Sequence, residues 1–290
     1  MNQTDTQKTG TAVAEEAAEM ERLNERQRTY YEQCEGELSE AGNTVTRSWA
    51  LLRDRVAQYR VEIGVKQDIR SLHMQWLGDL AGCRTMELGC SAGNNVSMHM
   101  AKEADSYLGV DLNSVGIERL KQKFVERDLP KGDAVAADFL SPDFQPEPFD
   151  VIFAHGVLHH FRYFDAFLEI LHSRLKPGGR VIAFDPLQTA MLPRLIRYAY
   201  RPFQSDADWE WPFNRKTFPA MERYFDVAAL QGTMGWAKWG IPLLPISFGL
   251  AVKVGRPLHG RDMRMATSRS RHLWRCMNVA TLLVRKELKS

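Results

Sequence analysis

Between residues 84 and 186, short apolar runs alternate with stretches whose apolar positions recur at helical spacing. Arg84–Leu88, Ser106–Leu112, Ala134–Asp138, Phe149–His155 and Leu175–Pro186 predict five strands. Helices are expected near Asn95–Glu103, Ser114–Arg127 and Tyr163–Leu175, with Ser114 as the N-cap of the second. Strand and helix taking turns in this way imply a parallel sheet covered on both faces.

The flanks are less regular. Residues 1–12 are small and polar and are expected to be disordered, and Ala14–Leu38 reads as an exposed helix with little apolar face. Thr44–Tyr59 and Val65–Leu80 read as amphipathic helices; Trp49, Leu52, Val56 and Tyr59 mark the stripe of the first. Beyond Pro186, Leu187–Tyr200 has a helical look, Arg201–Phe213 is an aromatic and acidic loop, Thr217–Tyr224 a helix and Phe225–Gln231 a sixth strand. Asn278–Lys286 predicts a seventh, antiparallel strand. The expected organisation is an acidic N-terminal segment, 1–43, followed by one α/β unit, 44–290. That unit carries a cap or lid at 187–224 and a long insertion at 235–275. The insertion begins apolar (Ile241–Val252) and turns basic through Arg256, Arg261, Arg264, Arg269, Arg271 and Arg275.

The 290 residues suffice for one good core with a lid. The net charge of +2 hides a polarity: residues 1–42 hold ten acids against four Lys/Arg, and 230–290 hold eleven Lys/Arg against two acids. Two solvated surfaces would explain this; an anionic partner at the C-terminal end is the other reading. Cys34, Cys83, Cys90 and Cys276 have no C-x-x-C spacing, so neither a zinc site nor a disulfide framework is suggested. The N-terminus has no signal-peptide pattern, and no apolar run reaches the roughly 20 residues of a membrane span. A cytoplasmic protein is expected. Peripheral contact with an anionic membrane through the insertion is an open alternative to a lid packed on the domain.

The stretch with chemical content is Arg84-Thr-Met-Glu-Leu-Gly-Cys-Ser-Ala-Gly-Asn94. A strand runs into an acid, a glycine-bent turn and a helix start, which together make a cradle for an anion or nucleoside. The spacing is wrong for G-x-G-x-x-G dinucleotide binding. Gly89-Cys-Ser-Ala-Gly93 does match the G-x-S-x-G nucleophile elbow, but that elbow needs several strands before it, where residues 1–82 look helical. Asp111 ends the second strand where a carboxylate can grip ribose hydroxyls, and Asp138 ends the third.

Taken with the Leu-Lys-Pro-Gly-Gly turn at 175–179 and Gly-Val-Leu-His-His at 156–160, this order of motifs resembles the class I S-adenosylmethionine-dependent methyltransferases. The likeness is to the small-molecule and lipid branch, of the quinone-biosynthesis type, and covers about residues 80–186. It implies a Rossmann-like, seven-stranded, mostly parallel sheet with an antiparallel last strand and a helical N-terminal cap. It implies S-adenosyl-L-methionine as cofactor, with Glu87, Gly89, Cys90, Ser91, Gly93 and Asn94 around the methionine part. Asp111 would take the ribose, Leu112 and Phe139 the adenine faces, Asp138 the adenine amine, and His155 would border the methionine end.

An acceptor hydroxyl needs a base, and His159, His160 and His155 are the candidates, His159 slightly ahead. Trp209, Trp211 and Phe213 could wall the acceptor pocket or merely pin a loop. The expected reaction is methyl transfer to a small apolar or lipid-like acceptor, most readily at oxygen. The alternative is an RNA methyltransferase or RNA-binding protein using the basic C-terminal region. The segment Ala154–Leu158 lacks the Asn/Asp-Pro-Pro-aromatic signature of base N-methylation. The arginines also lack interleaved aromatics, Trp274 excepted, and nucleic acid is disfavoured as a partner.

Overall fold

The structure is a computed structural model that describes residues 19, 22–29, 44–189, 210–268 and 270–287, with 44–50 as backbone only. Seven strands form one sheet in the order β3-β2-β1-β4-β5-β7-β6. They are β1 (Arg84–Leu88), β2 (Ser106–Asp111), β3 (Gly132–Ala136), β4 (Phe149–His155), β5 (Leu175–Pro186), β6 (Phe225–Thr233) and β7 (Asn278–Arg285). The first five run parallel, and β7 lies antiparallel between β5 and β6. The helices are α1 (residues 22–29), α2 (Thr44–Glu62), α3 (Val65–Leu77), α4 (Asn95–Glu103), α5 (Ser114–Glu126), α6 (Phe164–Ser173), α7 (Thr217–Tyr224) and α8 (Phe248–Met265).

A parallel strand covered on both faces should read as a continuous apolar run, and β4 shows why. Ile152 and Ala154 enter a core shared with Met86, Leu88 and the α6 residues Phe167, Leu168 and Leu171. Val151 and Phe153 enter the opposite core, with Leu77 of α3, Met100 of α4 and Leu120 of α5. Each such buried side chain contributes ~1.5–3 kcal/mol relative to exposure.

The expected elements hold, with local corrections. Asn113, not Ser114, caps α5: its Oδ1 accepts the Val115 and Gly116 N–H groups at 3.0 and 3.1 Å. An extended Asn reaches back over the first turn, whereas Ser114 is already helical. Strand β3 ends two residues before Asp138, because Asp138 turns the chain by accepting the Leu140 N–H with Oδ1. The expected helix at Leu187–Tyr200 and most of the loop after it fall on residues 190–209, outside the described residues.

The insertion packs on the domain as a third layer. Tyr59 of α2, Ile63 of the turn after it, and Val65 and Ile69 of α3 meet Ala237, Leu244 and Ala251 in one cluster. Gly240 and Gly255 approach the Tyr59 ring so closely that a Cβ on either would sit 2.2 or 2.0 Å from its hydroxyl. The buried Asp262 carboxylate accepts from the Trp236 and Ala237 N–H groups and pairs with His272 Nε2 at 2.7 Å, tying both ends of the insertion to α8. A buried carboxylate is tolerated only when its lone pairs are met in this way. The opposite side of α8 exposes Lys253, Arg256, Arg261 and Arg264. Among the described residues no helix is long and apolar enough to cross a membrane.

Candidate active site

The site lies at the carboxyl ends of the parallel strands. Gly89 (φ +71°) and Gly93 (φ +70°) bend the chain after β1, and a Cβ would meet Val157 at 2.3 Å and Leu120 at 2.4 Å. Both positions therefore need glycine for conformation and for space. Ser91 between them also has a positive φ, 45°, and its N–H donates to Asp111 Oδ2 at 2.7 Å. That charge-assisted bond holds the strained turn against the tip of β2. Asn94 caps α4 by accepting the Val96 N–H, and its own N–H donates to Ser97 Oγ, a reciprocal capping box.

A hollow of about 250 Å³ opens beside this turn, lined by Gly89, Ser91, Asp111, Leu112, Asp138, Phe139, His155 and His160, with Asn24 and Gln27 from α1. Asp111 also accepts the Asn113 N–H, at 2.9 Å, through Oδ1. Asp138 Oδ2 accepts from Asn24 Nδ2 at 2.6 Å. The two tip carboxylates thus converge as expected.

Four expected cofactor residues stand elsewhere. Glu87 is 2% exposed beneath the turn, where its carboxylate accepts from the Tyr107 hydroxyl at 2.7 Å. Burial pushes its pKa up to about 7, opposed by hydrogen bonds from Tyr107 and Ser97 and reinforced by Asp111. Glu87 borders neither of the two hollows around His155. Cys90 is buried, its thiol pushed far up by desolvation and the nearby Glu87 and Asp111. Gly93 packs against Leu120, and Asn94 faces the neighbouring hollow.

Of the three histidines, His155 borders both hollows and stacks on Phe184, with centroids 5.0 Å apart. Its pKa is lowered first by burial and further by Arg60 and Lys66, against the pull of Asp185, so the ring is neutral near pH 7. His160 lines the first hollow. His159 lines neither: it is 5% exposed, its Nδ1 lies 2.8 Å from Asp185 Oδ1, and its carbonyl accepts the Trp211 N–H. Its ring is a buried pin between β4 and β5 rather than a group open to solvent or ligand. Trp209 lies outside the described residues. Trp211 and Phe213 border a separate depression formed with α6 and α7, and Phe213 is a core residue at 1% exposure, bridged to Leu187.

The second hollow, about 490 Å³, lies between α2, α3, the start of α4 and the tips of β4 and β5. Its walls combine Val61, Val65, Ile69, Phe153 and Phe184 with Arg60, Lys66, Arg70 and His73. The sequence reading missed these polar groups, and it missed Asn24 and Gln27. His73 continues the Val65–Ile69–Leu77 ridge at helical spacing, which was the available signal. Asn24 and Gln27 dock through polar side chains, which hydrophobic periodicity cannot detect.

A Rossmann-like sheet with its last strand reversed, a glycine-bent first turn and carboxylates at the next two strand tips frame the first hollow. Residues 86–181 match the family described as a methyltransferase domain. The donors and acceptors around the first hollow suit a polar nucleoside.

Among relatives, a phthiotriol/phenolphthiotriol dimycocerosates methyltransferase of Mycobacterium ulcerans is 29% identical over 133 residues, 46% of this chain and 43% of that protein. A fatty-acid O-methyltransferase of Mycolicibacterium smegmatis is 32% identical over 111 residues, 37% and 38% of the two chains. A tRNA U34 carboxymethyltransferase of Idiomarina loihiensis is 26% identical over 110 residues, 37% and 33%. The matches thus span less than half the length of these relatives. A solved structure of a putative sarcosine dimethylglycine methyltransferase from Galdieria sulphuraria shares the fold, with TM-score 0.52 and 12% identity over 76% of this chain and 84% of that one.

Proposed function

We propose that the protein transfers a methyl group from S-adenosylmethionine to an oxygen of a small, apolar or lipid-like acceptor. The observation that carries this reading is the pair of hollows meeting at His155: one lined by strand-tip acids, the other walled by apolar side chains. The bound cofactor supplies a methyl group activated on a sulfonium. The chain's part is alignment, which is worth about 7–11 kcal/mol when the geometry is good. Asp111 holds the ribose hydroxyls, Asp138 the adenine amine, and Leu112 and Phe139 enclose the ring. Asn24 now occupies the Asp138 oxygen that the amine would take, so α1 shifts or shares that oxygen when the hollow fills.

His155, neutral near pH 7 and bordering both hollows, accepts the proton of the acceptor hydroxyl. Burial is the main reason its pKa is lowered, with Arg60 and Lys66 adding to it against Asp185. The fatty-acid O-methyltransferase among the relatives agrees with oxygen as the methylated atom. The tRNA-modifying relative leaves the RNA reading alive, but the second hollow's aliphatic and phenylalanine walls suit an apolar body better than a nucleotide. Calorimetry with S-adenosylhomocysteine tests the core of the reading: wild type binds and Asp111→Ala binds far more weakly. Equal affinities would overturn it.

The insertion also gives the enzyme a face for an anionic membrane. Trp239, Ile246 and Leu250 are 46%, 76% and 44% exposed, and Lys253 and Arg256 follow on the open side of α8. Co-sedimentation with phosphatidylglycerol vesicles should fall when Ile246 and Leu250 are both changed to Ser; unchanged sedimentation would remove the membrane from the account.

A further inference from the structure

The second hollow is apolar in its walls and one-signed in its charges. Arg60, Lys66 and Arg70 border it, and no carboxylate does among the described residues. None of the three makes a hydrogen bond or ion pair within the described residues. Lys66 and Arg70 are exposed at the rim, but Arg60 is half-buried, and desolvation pulls its pKa below the ordinary arginine range. A guanidinium withdrawn from water without a counter-charge is costly. His73, on the wall of the same hollow, is 2% exposed, and its Nε2 has no hydrogen-bond partner among the described residues. Burial, with His155 nearby, drops the His73 pKa to about 3, so the ring is neutral and can donate from Nε2 in one tautomer. A cation and a buried ring nitrogen, both unpaired among the described residues, thus border the same cavity, and an acceptor-only anion would supply a partner to each.

We propose that this hollow takes an amphiphile bearing a carboxylate, anchored on Arg60 and His73, with its apolar body against Val61, Val65, Ile69 and Phe184. The inference rests on the methyl-transfer reading above and narrows its acceptor. A planar guanidinium matches a carboxylate bidentately, and the volume is in the range of ligand pockets. The anchored carboxylate is not the methylated group: pairing with a guanidinium withdraws electron density and lowers its nucleophilicity. Lys66 and Arg70 draw the anion in from solvent.

The test is calorimetric titration of the full chain with decanoate and with neutral decanamide, each with and without saturating S-adenosylhomocysteine. Wild type should bind decanoate more tightly than decanamide. Arg60→Gln should weaken decanoate about 10-fold or more and leave decanamide unchanged. The double change Lys66→Gln/Arg70→Gln, on exposed positions, should weaken decanoate by a smaller factor and increasingly so at low salt. S-adenosylhomocysteine should bind Arg60→Gln as it binds wild type. If Arg60→Gln loses S-adenosylhomocysteine while decanoate affinity stays, Arg60 serves the cofactor's own carboxylate and the proposal falls. If wild type binds S-adenosylhomocysteine but does not prefer decanoate, the anion site falls and the methyltransferase reading stands. If wild type binds no S-adenosylhomocysteine, that reading falls first. Circular dichroism of each variant separates lost binding from lost fold.

Discussion

The two hollows on either side of His155 are built by opposite means. The first is made from consecutive strand tips: a turn after β1, Asp111 after β2, Asp138 after β3. The second is made from α2 and α3 laid over β4 and β5, residues separated by about a hundred positions in sequence. The first is acidic and suits a polar nucleoside; the second is basic and apolar. On the proposed reading, cofactor binding depends on short local motifs, whereas acceptor selection falls to the helices that cover the sheet. A change of acceptor therefore requires changes in α2 and α3 and none in the turn.

Substitutions can break or sharpen this division. The largest effect is expected at the junction. His155→Ala should lower kcat by about 100- to 10,000-fold, the usual weight of a positioned base, with S-adenosylhomocysteine affinity retained. Because the His155 pKa lies below its ordinary 6.5, wild-type activity should hold steady down through that pH and be lost only as protonation sets in below it. A profile that already falls from pH 8 to 7 would exclude His155 as the base.

Next is Asp111→Ala, which should cost roughly 100-fold in S-adenosylhomocysteine affinity, since the carboxylate proposed to accept the ribose hydroxyls is removed along with its hold on the Ser91 turn. The second hollow should be indifferent to it, so decanoate affinity should persist. Joint loss of both ligands would mean that the hollows are one coupled site.

The smallest effect concerns stability. Glu87, with a folded pKa of about 7 against 4.5, keeps its proton in the folded state over a window where the unfolded chain has released it. Stability therefore falls as pH rises from about 4.5 to 7, by roughly 3 kcal/mol. Glu87→Gln should remove that slope and raise the unfolding midpoint above pH 7. A loss of cofactor affinity in Glu87→Gln would instead return Glu87 to the binding residues.

Much of the fold could be read because its elements declare themselves locally. Strand β4 and helices α4 and α7 fall where their apolar runs and helical spacing set them, and so does β5 with its Gly-Gly turn. Asp111 and Asp138 could be placed because a strand tip is a fixed address in a parallel sheet. His159 could not be separated from His155 and His160, because sequence does not say which ring Asp185 will claim. Trp211 and Phe213 read equally well as a wall or a pin, since aromatic residues serve both ends; burial against Leu187 and the adjoining helices assigns Phe213 to the pin.

The sequence by itself determined the order of strands and helices, the glycine-bent turn and the acids at the strand tips, because each depends on neighbours within a few residues. Only the tertiary structure decided that Glu87 sits beneath the turn, that α1 reaches Asp138 through Asn24, and that Arg60 and His73 border one cavity without partners among the described residues. The physical reason is that desolvation and ion pairing are properties of an assembled environment. A lone arginine on a helix has the same local signature whether it ends in water or in a pocket.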